Sequence, residues 1–291
     1  MRNSKSIFCF LFLAVMCFVY SQEKNKPNER SFLLFDLSYQ NDAVFMGRND
    51  TVTAPYIVPS IEYYDKSGFF AVASLSYLTK LQDSRIDLFL LTAGYSFNSN
   101  KFSGIVSGTK YIFNEDSYTI QSEIQGDISA ALAYETSFFK ISLNASGYIN
   151  NDESFDLFAG FQLDNSFYFL DDDFIIKPTF CFYAGSQYFY QEYYKNNSGN
   201  QNGNNNQGNP PISSLVRIEE VEKFNVLNIE VSLPIQYRHN SFIFSLTPYW
   251  AFPQSNLTIV NGDEIFREDP QDVFYWSAGI SYWFHTKKSK F

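Results

Sequence analysis

Residues 227 to 238 alternate without a break. Leu227, Ile229, Val231, Leu233, Ile235 and Tyr237 fall on one face of an extended chain, and Asn228, Glu230, Ser232, Pro234, Gln236 and Arg238 on the other. Successive side chains of a β-strand point to opposite faces, so this stretch reads as a strand with one apolar and one polar face. The division recurs from Tyr118, where Ile120, Ile124, Ile128, Ala130, Leu132 and Tyr134 oppose Gln121, Glu123, Gln125, Asp127 and Ser129. It recurs in Phe139, Ile141, Leu143 and Ala145 against Lys140, Ser142, Asn144 and Ser146, and again in Phe242, Phe244, Leu246, Pro248, Trp250 and Phe252. Length then separates two classes. A strand of a soluble sandwich runs about five or six residues, whereas one tilted across a bilayer needs about 9 to 11. A soluble barrel would also place its polar face outside, yet unpaired charge is prohibitively costly in a dry core. A face carrying Glu123, Asp127, Lys140, Lys177, Glu230 and Arg238 therefore predicts a hydrated interior behind an apolar outer band, an all-β transmembrane antiparallel up-and-down barrel.

Segments of this kind lie near 31–40, 55–65, 69–80, 86–97, 102–113, 118–134, 139–150, 155–168, 174–191, 224–238, 242–253 and 273–285, which predicts about twelve strands. The patterns at 55–65 and 102–113 are the least regular, so ten or fourteen stay open. Tight turns at Asp65–Gly68, Asn98–Asn100, Leu170–Asp173 and His239–Ser241 alternate with long connections at 41–54, 195–215 and 254–272. One short rim and one long rim are the asymmetry of bacterial membrane barrels.

The chain opens on Arg2 and Lys5, an apolar run from Ile7 to Tyr20, and small residues at Val19 to Ser21, the layout of a secretory signal ending at residue 21. Residues 22–30 form a short polar segment, 31–285 the barrel, and 286–291 a tail. Cys9 and Cys17 fall in the signal, which leaves Cys181 with no partner for an intrachain disulfide. A lipoprotein reading of Cys17 meets bulky Met16 where a small residue is wanted. The net charge of -10 argues against nucleic acid, which demands a Lys/Arg surface.

The last strand, from Val273 to Phe284, resembles the C-terminal strand of Gram-negative outer-membrane β-barrels, with Ser277, then Gly279, then aromatics at Tyr282 and Phe284. The resemblance implies insertion into the outer membrane and recognition of these four residues by the barrel-assembly machinery. The chain departs from the pattern by running on to Phe291. The signal ending in Tyr20, Ser21 and Gln22 resembles that of exported proteins of Bacteroidota.

Sequence motifs for chemistry are sparse. There are two histidines, His239 and His285, both placed on the short-turn rim, and no nucleophile elbow, zincin motif or paired-cysteine spacing, so neither catalysis, nor a metal, nor a cofactor is expected. Residues 196–211 form an Asn-rich loop that cannot bury enough apolar area to order itself. The 262–272 segment holds five carboxylates against Arg267, a solvated acidic rim able to meet divalent ions or lipopolysaccharide. Tyr63, Tyr64, Tyr188 to Tyr194, Trp250, Trp276 and Trp283 are expected to form interfacial girdles. The lumen is expected to be lined by Glu123, Asp127, Lys140, Asp156, Asp164, Lys177, Glu230 and Arg238. The leading expectation is a monomeric, porin-like passage for small hydrophilic solutes. The alternative is a filled barrel that displays its loops, and a membrane enzyme ranks third.

Overall fold

The structure of the 291-residue chain, a computed structural model, describes residues 31–48, 53–80, 83–115, 117, 124–151, 154–190, 216–219, 221–261, 264–267 and 270–285. The expected signal, the polar segment after it, the Asn-rich loop, the tail and Glu123 lie outside these residues.

Eighteen strands follow in chain order. The first eight are β1 (Phe32–Gln40), β2 (Tyr56–Tyr64), β3 (Phe69–Leu78), β4 (Arg85–Ser99), β5 (Phe102–Phe113), β6 (Ile124–Glu135), β7 (Lys140–Asn150) and β8 (Phe155–Asp164). Then come β9 (Phe167–Phe169), β10 (Phe174–Ile176), β11 (Thr179–Gly185), β12 (Val216–Ile218), β13 (Asn225–Ser232), β14 (Ile235–His239) and β15 (Phe242–Pro253). Last are β16 (Thr258–Asn261), β17 (Glu264–Arg267) and β18 (Val273–His285). Three staves are each split in two: β8 with β9, β10 with β11, and β13 with β14. Pro178 and Pro234 sit at two of the breaks, where a missing N–H interrupts the ladder. Lys177 N–H reaches the Pro234 carbonyl at 2.8 Å, so the neighbouring staves stay joined there. Counted as staves, the result is a closed antiparallel barrel of twelve strands. Closure comes from β1 pairing with β18 and β13 with β15, which leaves the wall no free edge.

The two faces of the wall separate as the alternation predicts. Leu33, Phe35 and Leu37 of β1 are exposed while Phe32 and Leu34 are buried, and on β8 Phe155 and Leu157 point out while Asp156 and Phe158 point in. Aromatic pairs ring the outer face at both ends. Phe35 with Phe284, Phe242 with Tyr282 and Phe102 with Tyr134 lie toward the short turns, and Tyr39 with Trp276 and Trp250 with Phe274 toward the long loops. Tyr64 and Trp283 depart from the expected girdle. Both face inward, where Phe32 packs against Tyr64 at 4.9 Å and against Trp283 at 4.7 Å.

Three β-bulges near the long-loop rim break the strict alternation. Asp87, Gln125 and Leu227 are the extra residues, each lacking a register partner where the pairing slips. An extra residue shifts the inside-outside phase by one. Ile124 and Leu227, assigned by period to the outer face, are therefore turned inward and buried.

Candidate functional site: the barrel interior

The middle of the inner wall is polar. Buried Ser74, Ser76, Thr92, Ser107, Thr109 and Ser129 carpet β3 to β6, and the Thr92 and Thr109 hydroxyls bond each other at 3.1 Å. Among them stand carboxylates held by hydroxyl and amide donors. Asp127 accepts from Ser129 at 2.6 Å and from Tyr111 at 3.1 Å. Glu62 accepts from Tyr64 at 2.7 Å and Ser60 at 3.1 Å, Asp36 from Ser281 at 2.6 Å, Asp164 from Gln162 at 2.7 Å, and Glu230 from Tyr275 at 2.6 Å. Hydroxyl donors orient a carboxylate but do not neutralise it, so each of these groups needs water around it when it ionises.

Of the residues expected to line the lumen, Asp127, Asp164, Lys177 and Glu230 are buried. Lys140 and Arg238 are half-buried near the short turns, with Lys140 directly across from Asp164 in the register. Asp156 is occupied elsewhere: it accepts from Asn150 at 2.9 Å, from the Ser186 hydroxyl at 2.7 Å, and from the Tyr188 and Phe189 N–H groups at 2.8 and 2.7 Å. Asp36 and Glu62 share the polar wall and were missed. Asp36 has the parity of Phe32 and Leu34, so the alternation of β1 alone would have found it. Of the positions expected to form the assembly signal, Tyr282 and Phe284 meet edge-on at 4.5 Å on the outward side of β18, and Gly279 sits close to Ser38 and Ser245.

Above the polar belt the loops turn inward. Phe45, from the β1–β2 connection, packs its ring against Phe189 at 4.8 Å, Phe158 at 5.6 Å and Tyr148 at 6.4 Å. Tyr148 belongs to β7, halfway round the wall from β1, so Phe45 reaches across the mouth. Tyr56, Leu78, Leu88, Tyr111, Ile124 and Leu227 from the wall close on it from the sides. Ile218, Val221, Leu257 and Ile259 join from the other long loops. Those last loops also pair outside the wall as a small sheet in the order β12, β16, β17. The bulges help a polar wall make an apolar collar at this level, since the phase slips bring Ile124 and Leu227 round to face the loops.

Arg48 ties the loops together. One guanidinium nitrogen donates to Gln187 Oε1 at 2.6 Å, and the other to the Ser255 carbonyl at 2.5 Å and hydroxyl at 3.1 Å. The group lies 4.8 Å from the centre of the Tyr190 ring. Sequence periodicity carries no signal for this residue, because it lies between strands. At the opposite rim His239 is exposed beside the Tyr237 ring. Among the described residues no three His, Cys, Asp or Glu side chains gather as a metal set.

No protein-family model matches the chain, and no curated protein matches it. Among solved structures it is similar to the KdgM porin, with 10% identity over 88% of this chain and 99% of that one and a TM-score of 0.46. It is similar in the same degree to the NanC porin, with 10% identity, 86% and 98% coverage and a TM-score of 0.46. LpxR from Salmonella typhimurium also matches, with 11% identity, 86% and 100% coverage and a TM-score of 0.42.

Proposed function

We propose that this chain is an outer-membrane barrel that passes small hydrophilic solutes, with a preference for cations. One observation carries the reading: a wall whose outer face is apolar and ringed with aromatics encloses a belt of carboxylates held by neutral donors. An outer face of this composition suits lipid, and the belt suits water and cations. Asp36, Glu62, Asp127, Asp164 and Glu230 face Lys140, Lys177 and Arg238, an excess of negative charge that a low-dielectric wall focuses into the lumen. The signal segment and the strand ending at Tyr282 and Phe284 support export and assembly in the outer membrane. Lipopolysaccharide and the assembly machinery are then the expected partners. Catalysis has little support, with His239 exposed on the short-turn rim.

The test has two parts. Tagged protein should fractionate with outer membranes and change mobility on a gel after boiling. Purified protein in planar bilayers should conduct with modest cation selectivity that fades as added salt shortens the Debye length below roughly 10 Å. Glu62→Gln with Asp164→Asn should reduce that selectivity. Anion preference would refute the inward charge assignment, and recovery in the soluble periplasm would refute the membrane reading. The apolar collar favours a second reading, a closed barrel that displays its loops, for which conductance would be absent in every form of the protein.

A further inference from the structure

We propose that residues 43–48, at the start of the β1–β2 connection, form a displaceable plug, that Arg48 is its latch, and that the barrel conducts when the latch opens. This rests on the channel reading above and adds how the passage is controlled.

The segment is built as a hinged arm. At its base the Asp42 carboxylate accepts from the Ala43 N–H at 2.9 Å and the Ala54 N–H at 3.2 Å, which pins the two ends of the arm together. At its tip Phe45 and Arg48 exchange backbone hydrogen bonds of 2.9 and 3.0 Å, so the chain reverses in two residues. That reversal needs left-handed backbone, found at Met46 (φ 49°) and Gly47 (φ 82°). Residues 43–48 can therefore swing as one body about the Asp42 base.

The tip is seated against the wall. A side chain on Gly47 would begin 2.5 Å from Asn228 Oδ1 and 3.2 Å from the Pro253 Cα, so only glycine fits this close approach. Phe45 fills the apolar collar from across the mouth, and Arg48 closes the arrangement from beside it. Two hydrogen-bond partners of its guanidinium, Gln187 and Ser255, belong to two other long loops, as does the Tyr190 ring. The latch thus joins loop to loop at the rim. Opening it leaves the β-ladders of the wall intact, whereas removing a strand residue would not. Asp156 does the complementary job: it fixes the 186–190 segment to β8 and so gives the latch a stationary post.

Single-channel recording of the purified full-length chain tests this. Wild type should show brief, infrequent openings. Arg48→Ala removes the latch, and Gly47→Val leaves every latch side chain in place but cannot seat the tip. Both should lengthen the open time at least tenfold, while a chain with residues 43–53 replaced by a Gly-Ser linker should stay open. Heat-shifted mobility on a gel confirms folding of each. A Phe45→Cys, Phe189→Cys pair in a Cys181→Ser background should be silent when oxidised and regain openings when reduced, which keeps the test available if a latch variant fails to fold. Open times unchanged in both single variants, with the linker chain open, would overturn the latch and leave the channel reading standing. A linker chain as silent as wild type would overturn both, and a wild type already open as long as the linker chain would overturn the plug.

Discussion

Replacing Asp156 with asparagine should loosen the loop that follows β11 without loosening the barrel. In the native protein each carboxylate oxygen serves two donors: one takes the Ser186 hydroxyl and the Tyr188 N–H, the other the Asn150 amide and the Phe189 N–H. Asparagine keeps one acceptor oxygen and presents an NH2 group to the other two donors. Ser186 can rotate to accept and Asn150 can turn its amide, but a backbone N–H has no such freedom. Either Tyr188 or Phe189 is left with a buried, unmatched donor, which costs about 1–3 kcal/mol. The lost charge weakens the surviving bonds by about 1 kcal/mol more, since bonds to ionised groups are worth about twice neutral ones. The 186–190 segment should then open locally more easily by about 2–4 kcal/mol, which is roughly 30- to 900-fold in an opening equilibrium. Hydrogen exchange with mass spectrometry in lipid nanodiscs reads this directly: peptides covering 186–190 should exchange faster by that factor while those of β7 and β8 keep their protection. Equal acceleration in the β7 and β8 ladders would show that Asp156 supports the wall. No acceleration beyond threefold at Tyr188 and Phe189 would refute the clamp.

Three further outcomes follow from the same geometry. In single-tryptophan variants, brominated lipids should quench Trp250 and Trp276, whose rings lie on the outer face, and spare Trp283, which packs inside against Phe32; strong quenching of Trp283 would reverse its assignment. Tyr282→Ala with Phe284→Ala should lower the yield of assembled, heat-shifted barrel several-fold in cells, and normal insertion would remove these two aromatics from the assembly signal. In the short turn after β2, the Ser67 hydroxyl and N–H, the Ser31 hydroxyl and the Tyr63 hydroxyl hold the Asp65 carboxyl well below its ordinary value of 3.8. A folded value below the unfolded one means that this contribution is full above the unfolded value and is lost only as pH falls toward the folded one. Carboxyl NMR should accordingly find Asp65 still ionised at pH 4, where an ordinary aspartate is already titrating, and a midpoint near 4 would refute the hydrogen-bond account.

The barrel was legible in the sequence because period two is a local property. A strand of ten residues declares its faces wherever it goes, and the charges on one face of 224–238 already marked the inner side of the wall. Long runs, alternating short and long connections, and the final aromatic strand followed from the same local grammar. The bulges did not. One extra residue at Asp87, Gln125 or Leu227 makes sense only against the partner strand that fails to match it, so Ile124 and Leu227 were assigned to the wrong side by an otherwise sound count. Tyr64 and Trp283 were misplaced for a related reason, since a ring near a strand end suits a girdle or an inner stack equally until closure of β18 on β1 brings Phe32 between them. The plug lay wholly out of reach. Phe45 and Arg48 sit in a connection without periodicity, and their partners are at Tyr148, Gln187 and Ser255. Only the closing of twelve staves into a ring brings such distant segments across one mouth.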